Sequence, residues 1–214
     1  MIRLINVTKS FKGCKNVLEN VNVEFKEGEL IVLKGKSGSG KSTLLSLIAA
    51  LSKPTSGEII VDAKQISKLP DNFSSIYRRD NIGIIFQKYN LIADLSVKEN
   101  VLMPLVPLNL PLEELNARAQ EVMRTFSIEH KADDIIKNLS GGEQQRAAIA
   151  RANIANPKII LADEPTANLD EKLSLEFIEI LKEMKSKSKT IIVATHDPLF
   201  FELDFVDRMI DFDS

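Results

Sequence analysis

A glycine-rich segment near the start of the chain limits its fold more than any other feature. Residues 35–42 read Gly-Lys-Ser-Gly-Ser-Gly-Lys-Ser, which matches the phosphate-binding pattern G-x-x-x-x-G-K-[ST]. An apolar run over residues 30–34 precedes the segment, and a helical pattern over residues 41–51 follows it. Because this pattern binds phosphate between a strand and a helix, its context favours a phosphate-binding loop over the alternative, a plain Gly/Ser turn.

The residues of this phosphate loop (residues 35–43) have distinct predicted roles. Gly35, Gly38 and Gly40 allow successive backbone N–H groups to turn inward around phosphate oxygens. Lys41 is expected to reach the β- and γ-phosphates and Ser42 to coordinate Mg²⁺, while the positive end of the following helix adds attraction. The other loop residues predicted to contact the nucleotide are Lys36, Ser37, Ser39 and Thr43.

Short apolar runs alternate with longer helical patterns along most of the chain. The runs are nearly continuous in Ile, Leu and Val, as are the strands of a parallel sheet that is covered on both faces. They cover residues 30–34, 82–86, 158–162 and 190–194. The helical patterns cover residues 41–51, 143–155 and 171–186. This order predicts an α/β fold, in which the parallel sheet of a P-loop NTPase core has helices on both faces.

Two regions depart from this alternation. The first predicts an N-terminal antiparallel β element. Its strand-like segments cover residues 2–7, 17–25 and 57–61, with turn signals at residues 12–13 and 27–28. In the second region, residues 90–138, strand patterns disappear, and a periodic run over residues 112–126 predicts an inserted α-helical subdomain. We therefore predict one domain whose core consists of residues 1–89 and 139–214.

Composition and charge argue against several classes of function. The formal net charge is −2, so a basic surface is not indicated and no nucleic-acid partner is predicted. The single cysteine, Cys14, cannot form an intramolecular disulfide and is interpreted as a small, partly buried residue. No signal peptide is predicted, and no apolar run approaches the roughly 20 residues that span a bilayer. We expect any membrane role to act through a partner.

Two adjacent acids follow another of the apolar runs. Asp163 and Glu164 come directly after residues 158–162, at the edge where α/β sheets bind ligands. Asp163 is predicted to hold Mg²⁺, usually through water, and Glu164 suits a general base that positions and deprotonates the attacking water. The alternative is a strand followed by a polar turn, because Asp-Glu-Pro is favourable turn chemistry. The phosphate loop in the same chain favours the catalytic interpretation.

Residues 139–146 read Leu-Ser-Gly-Gly-Glu-Gln-Gln-Arg and form what we call the signature segment. Ser140 and Glu143 match the S-x-x-E capping box at the start of a helix. Gly141 and Gly142 leave backbone N–H groups bare there, which predicts a second anion site apart from the phosphate loop. The alternative, a simple N-cap, does not explain the double glycine. Two phosphate-binding helix ends in one chain suggest that two chains meet around each nucleotide.

With these motifs the chain resembles the nucleotide-binding subunit of ABC transporters over essentially its whole length. The resemblance implies a homodimer formed through ATP, in which the signature segment of one protomer contacts the γ-phosphate held by the other. It implies that Phe11 stacks on adenine and that Gln87 senses Mg²⁺ and the γ-phosphate. It also places Asp170 at the dimer interface, and it implies that His196 hydrogen-bonds the γ-phosphate and the Glu164 region.

Two longer segments, residues 86–104 and 161–170, narrow the resemblance to the group of MacB, LolD and FtsE. The implied partner is an integral membrane permease subunit similar to FtsX or MacB, contacted near residues 87–101. The implied location is cytoplasmic, peripheral on the inner face of the cell membrane. Lys36 and Ala167 replace a proline and a glycine that are common in the family. The chain is shorter than many relatives, so no regulatory C-terminal domain is expected.

The sequence therefore predicts an ATP-hydrolysing subunit that uses ATP and Mg²⁺ to energise a membrane subunit in export, lipoprotein release or mechanotransmission. The predicted catalytic residues are Lys41, Gln87, Glu164 and His196. One alternative is a soluble ABC ATPase that acts on nucleic acid or ribosomes. Such proteins usually carry paired cassettes, long insertions or a basic surface, which this sequence lacks. A P-loop kinase is the other alternative, and it would make the signature segment and His196 coincidental.

Overall fold

A computed structural model of the protein describes residues 1–11 and 16–213. The turn predicted at residues 12–13 and the residue Cys14 lie outside the described residues. The strands are β1 (Ile2–Ser10), β2 (Asn16–Phe25), β3 (Leu30–Lys34), β4 (Ser56–Val61), β5 (Lys64–Gln65), β6 (Ile82–Ile85), β7 (Ile159–Asp163), β8 (Thr190–Thr195) and β9 (Arg208–Asp211). The α-helices are α1 (Lys41–Ile48), α2 (Asp71–Asn81), α3 (Val97–Leu102), α4 (Leu112–Thr125), α5 (Gly141–Asn153) and α6 (Glu171–Ser186).

The strands form two sheets of different kinds. A five-stranded sheet has the order β6-β7-β8-β3-β9, and its strands are parallel. A four-stranded sheet has the order β2-β1-β4-β5, and its strands are antiparallel. The predicted α/β class, with a parallel core sheet and an N-terminal antiparallel element, is confirmed.

Both faces of the parallel sheet are covered, as the continuous apolar runs predict. Successive side chains of β3 point to opposite faces. Val32 joins a hydrophobic cluster with Ile149 of α5 and Phe177 of α6. Ile31 joins a second cluster with Leu44 of α1, and this cluster also contains residues of the antiparallel sheet. Strands β6, β7, β8 and β3 are therefore largely buried, whereas the edge strand β9 is mostly exposed.

Several helix boundaries differ from those predicted. α1 ends at Ile48 rather than at residue 51, because Ala50 adopts a left-handed conformation with φ of 50°. α5 starts at Gly141, two residues earlier than residue 143, because Ser140 is its N-cap. α2 was not predicted, since only Ser74 and Tyr77 of this polar helix are buried. The proline and the aspartate at its start are the signals that could have revealed it.

The inserted region is helical, as predicted, and it packs closely on the core. It contains α3, α4 and several 3-10 turns. Val97 and Met123 of the insertion share a hydrophobic cluster with Ile149 of α5. Because the insertion and the core share this cluster, the division of the chain at residues 90 and 138 stays a prediction. Within residues 1–11 and 16–213, no helix combines the length and the apolar character needed to cross a membrane.

A close contact fixes α5 against the edge strand β6. A Cβ atom added at Gly83 would lie 2.3 Å from the carbonyl oxygen of Ala152, so only glycine allows this approach. The amino-terminal half of β6 is therefore held beside the last turn of α5. This contact fixes β6 against the helix that begins in the signature segment.

Candidate functional site

Three strand ends meet at one edge of the parallel sheet. In the register of the sheet, Lys34 at the end of β3 pairs with Thr195 of β8, and Asp163 of β7 pairs with Ala194. The phosphate loop follows β3, Glu164 follows β7 and His196 follows β8. Residues that are far apart in the sequence are therefore brought together at the carboxyl edge, where α/β sheets bind ligands.

The phosphate loop wraps tightly at the start of α1. Gly40 is the N-cap of α1 and has a φ of 102°, which favours glycine. A Cβ atom at this position would also lie 2.9 Å from the carbonyl oxygen of Val17. Gly40 therefore allows both a left-handed backbone and a close approach to β2. Together these two features place the first turn of α1 directly after the phosphate loop.

Lys41 is held across the loop by its own backbone. Its side chain is only 4% exposed, and its Nζ donates hydrogen bonds to the carbonyl oxygens of Gly35 and Lys36, the latter at 2.9 Å. The Nζ also lies 3.7 Å from Oε1 of Glu164. The ammonium group is therefore fixed between the loop and an acid, where it can form charge-assisted bonds to an anion.

Ser42 and Asp163 form a pair of oxygen groups beside Lys41. The Ser42 hydroxyl donates a 2.8 Å hydrogen bond to Oδ1 of Asp163. Burial raises the pKa of the Asp163 carboxyl, whereas the Ser42 hydrogen bond and the Lys41 charge act in the opposite direction. A partly buried carboxylate next to a hydroxyl is the kind of oxygen set that Mg²⁺ prefers.

Glu164 is turned away from Asp163 by its backbone. Its φ of 44° lies in the left-handed region, which is unusual for a residue other than glycine and recurs at functional sites. Oε1 lies 2.9 Å from Nδ1 of His196, and Oε2 accepts a 3.1 Å hydrogen bond from the Thr195 hydroxyl. The carboxylate is therefore held between Lys41 and His196, and it faces the same cleft as both.

The cleft has a volume of about 280 Å³. The residues that line it are Val17, Ser37, Gly38, Ser39, Gly40, Lys41, Ser42, Thr43, Gln87, Glu164 and His196. The structure thus brings together the phosphate loop, the predicted general base, Gln87 and His196. Sequence reasoning missed Val17, for which no motif gives a signal, and Thr195, whose place just before His196 was the available signal.

The signature segment lies apart from this cleft. Ser140 is the N-cap of α5, and its hydroxyl and backbone N–H both donate to Oε2 of Glu143, at 2.7 and 2.8 Å. These hydrogen bonds lower the pKa of Glu143. Gly141 is exposed with open space around it, whereas a Cβ atom at Gly142 would lie 2.9 Å from the Leu173 side chain. The second glycine therefore has a packing reason, contact with α6, that the sequence did not reveal.

Asp170 and Phe11 also lie outside the cleft lining, as do Gly35, Lys36 and Asp163. Asp170 is the N-cap of α6, and its Oδ1 accepts a 2.9 Å hydrogen bond from the backbone N–H of Leu173. The Phe11 side chain is 48% exposed, and the Nζ of Lys9 lies 5.0 Å from the centre of its ring. An exposed aromatic ring can stack on a nucleobase, but that role of Phe11 stays a prediction.

Comparison with known proteins gives a consistent family. The family described as "ABC transporter" matches residues 18–167. The uncharacterized ABC transporter ATP-binding protein MJ0796 of Methanocaldococcus jannaschii is 44% identical over 205 residues, which covers 92% of this chain and 87% of the relative. The lipoprotein-releasing system ATP-binding protein LolD of Buchnera aphidicola is 39% identical over 202 residues, or 92% and 89% of the two chains. The macrolide export ATP-binding/permease protein MacB of Campylobacter jejuni is 41% identical, but the chain spans only 31% of its length.

Solved structures give the same result. A dimeric structure of the ATP-binding cassette MJ0796, in a post-hydrolysis state bound to ADP and Pi, has a TM-score of 0.90 at 42% identity. The matched region covers 99% of this chain and 94% of the MJ0796 chain. The structure of cbiO1 from Clostridium perfringens, part of the ABC transporter complex cbiONQ, has a TM-score of 0.85 at 32% identity. The matched region covers 98% of this chain and 83% of the cbiO1 chain.

The raised pKa of Asp163 makes the stability of the protein without nucleotide depend on pH. We expect Asp163→Asn to raise the Tm at pH 8, because it removes the cost of an ionised, partly buried carboxylate. This cost is fully present above the folded pKa and vanishes as the pH falls through it toward the unfolded value of about 3.9. Thermal unfolding should therefore show a gain that shrinks with acidification. Asp204→Asn, at an exposed acid, is the control, and a lower Tm for Asp163→Asn at pH 8 would contradict the expectation.

Proposed function

The chain belongs to the ABC transporter family of ATP-binding proteins, and from this premise we propose that it is the ATP-hydrolysing subunit of a membrane complex. The observation that carries the proposal is the position of Glu164. Its carboxylate lies 2.9 Å from the His196 ring and 3.7 Å from the Lys41 ammonium, in the cleft that the phosphate loop forms. A base, a cation and a phosphate-binding loop in one cleft are the parts that hydrolysis of ATP requires.

The residues have complementary tasks in the proposed reaction. The backbone N–H groups of the phosphate loop and the Lys41 ammonium bind the phosphates of ATP. Glu164 orients a water molecule in line with the γ-phosphorus and accepts a proton from it, so that ADP and inorganic phosphate form. With both ring nitrogens protonated, His196 holds the Glu164 carboxylate through Nδ1 and donates from Nε2 to a γ-phosphate oxygen. The hydrogen bond from Thr195 to Oε2 leaves Oε1 beside His196, on the side of the cleft.

Ser42, Asp163 and Gln87 are the residues proposed to hold Mg²⁺. Two observations support this assignment: the Ser42 hydroxyl lies 2.8 Å from Asp163, and Gln87 lines the cleft. Their hydroxyl, carboxylate and amide oxygens are ligands suited to this ion. When bound, Mg²⁺ neutralises negative charge on the β- and γ-phosphates. The raised pKa of Asp163 fits a carboxylate that benefits from a cation nearby.

The proposed functional unit is a homodimer with ATP at the interface. The exposed Ser140 and Gly141 present the start of α5 to solvent, and neither lines the cleft of its own chain. The cassette MJ0796, whose structure covers nearly all of this chain, is dimeric. In the proposed dimer the signature segment of each protomer supplies N–H groups and the Ser140 hydroxyl to the γ-phosphate held by the other. Asp170, at the exposed start of α6, lies at the same interface.

The proposed partner is a membrane permease subunit, which would place the chain on the cytoplasmic face of the cell membrane. The relatives LolD and MacB are named as an ATP-binding protein of a lipoprotein-releasing system and an ATP-binding/permease protein. Ile92 supports a docking surface in residues 87–101, because its side chain is 45% exposed. Its backbone N–H and carbonyl are both bound by the side chain of the fully buried Asn100. An apolar side chain presented on such a rigid segment suits a protein contact.

Lys41→Ala tests the phosphate clamp. We expect ATP affinity to fall by about 10- to 100-fold, because each charge-assisted bond of the ammonium contributes roughly 1.5–3 kcal/mol. Isothermal titration calorimetry measures this change. Lys34→Ala is the matched control, since Lys34 precedes the loop and its Nζ instead faces Asp211 at 3.8 Å. Unchanged ATP affinity in Lys41→Ala would contradict the clamp.

Glu164→Gln tests both hydrolysis and the dimer. The amide cannot accept the proton of water, so we expect ATP turnover to fall by at least about 100-fold. The uncleaved ATP should then hold two chains together, which size-exclusion chromatography with ATP and Mg²⁺ would detect as a dimer. Ser140→Arg in the same background should abolish the dimer while ATP still binds. A Glu164→Gln protein that stays monomeric with saturating ATP and Mg²⁺ would refute the sandwich arrangement.

Ile92→Asp tests the membrane partner. We expect the tagged wild-type chain to recover a multispanning membrane protein from detergent-solubilised membranes of its own organism. A charge on the docking surface should reduce this recovery by about tenfold, with ATP hydrolysis by the isolated chain unchanged. Met209→Asp, at another exposed apolar residue, is the control. Equal recovery by both variants would exclude Ile92 from the docking surface.

A further inference from the structure

The turn that follows β6 has a backbone conformation that a tyrosine does not favour. This Gln87 turn (residues 87–90) passes through Tyr89 and Asn90, whose φ values of 57° and 50° lie in the left-handed region. Two consecutive non-glycine residues rarely adopt this conformation. The Tyr89 hydroxyl is also buried, with no hydrogen-bond partner in the part of the chain that the structure describes. The turn therefore depends on contacts from elsewhere in the protein.

Arg151 of α5 provides such contacts from one side. Its guanidinium donates one hydrogen bond to the carbonyl oxygen of Tyr89 and another to that of Asn90, both at 2.5 Å. The planar guanidinium presents its N–H groups in a fixed fork, so two adjacent carbonyl groups are held in one orientation. Burial lowers the pKa of Arg151, and the two carbonyl groups partly replace the water that this cation has lost.

Asn168 holds the other end of the turn. Its Nδ2 donates a 2.9 Å hydrogen bond to the carbonyl oxygen of Gln87. Asn168 belongs to the loop that follows Glu164, so this bond links the turn to the strand end that carries the general base. Gln87 is thus bound at its own carbonyl, and the two residues beyond Lys88 are bound by Arg151.

We propose that Arg151 is a positioning residue, which fixes the Gln87 side chain in the cleft and ties its turn to the helix of the signature segment. Arg151 lies about three turns after Ser140 on the same helix, a distance of about 16 Å along the helix axis. The Gln87 turn cannot move without moving α5 or breaking both carbonyl bonds. The contact between Gly83 and Ala152 holds the neighbouring part of α5 against β6. The catalytic consequence rests on the proposed function, whereas the clamp itself does not.

Trypsin tests the clamp without any ATP. Lys88 is exposed in the middle of the turn, so cleavage after it reports how often the turn opens. We expect Arg151→Gln to raise the initial rate of this cleavage by about tenfold or more. The matched control is Arg78→Gln, because Arg78 also bonds the carbonyl of a left-handed residue, Ala50, at 2.8 Å. No increase in Arg151→Gln, or an equal increase in the control, would overturn the proposal.

Turnover tests whether Arg151 acts through Gln87. We expect kcat of Arg151→Gln to fall by about tenfold with ATP affinity within about twofold of wild type, since a misplaced group costs turnover more than binding. Arg151→Lys should recover part of kcat. The double variant Gln87→Ala/Arg151→Gln should be no slower than Gln87→Ala alone, because one variant removes what the other misplaces.

The trypsin experiment tests whether Arg151 holds the Gln87 turn, and the turnover experiment tests whether this contact matters for hydrolysis. Losses in kcat that multiply in the double variant would show that Arg151 acts independently of Gln87 and would overturn the positioning role. If the wild-type chain hydrolyses no ATP, the proposed function fails, and the trypsin result still decides whether the clamp exists.

Discussion

At the carboxyl edge of the parallel sheet, Lys34 lies opposite Thr195 and Asp163 lies opposite Ala194. The site depends on this register, because Lys41, Glu164 and His196 follow the three central strands by only a few residues. A shift of one residue would move the side chains of a strand to the other face of the sheet. The clusters on the two faces prevent such a shift, since each face of β3 is packed with different helices. The core therefore fixes where the three strand ends lie, and the carbonyl groups of the phosphate loop fix the position of the Lys41 ammonium relative to them.

This edge concentrates opposite charges in a small space. Asp163 and Glu164 are adjacent, and the Glu164 charge adds to the burial that raises the pKa of Asp163. The nearby Lys41 side chain is 4% exposed, and its ammonium group also donates hydrogen bonds to two carbonyl oxygens of the loop. One cation beside two carboxylates leaves the cleft with an excess of negative charge, which a divalent cation would balance. In the proposed reaction, a nucleotide bound with Mg²⁺ would suit the cleft better than a nucleotide without it, because the two carboxylates would repel the bare phosphates.

Local patterns predicted the parts of the site that are encoded in short segments. The phosphate loop, the capping box of Ser140 and Glu143, and the acids after β7 can all be recognised because a strand end or a helix start needs those residues at that spacing. The polar helix α2 has only the weak signal of Pro70 and Asp71 at its start, and the end of α1 could not be recognised, because tertiary contacts determine it. The role of Gly142 against Leu173 was hidden for the same reason. The bonds from Arg151 to the Gln87 turn join residues 61 and 62 positions apart, a distance at which one sequence carries no signal.

The signature segment lies apart from the cleft of its own chain, and this arrangement relates the phosphate loop to the Gln87 turn. The start of α5 has exposed residues and a satisfied capping box, and its own cleft lies elsewhere. In the proposed dimer, this solvent-facing helix end would reach the nucleotide held by the second chain, so each site would need both protomers. The opposite end of the same helix grips the Gln87 turn of its own cleft through Arg151. In the proposed dimer, one helix would therefore link the nucleotide of its own chain, through the Gln87 turn, with the nucleotide held by the partner.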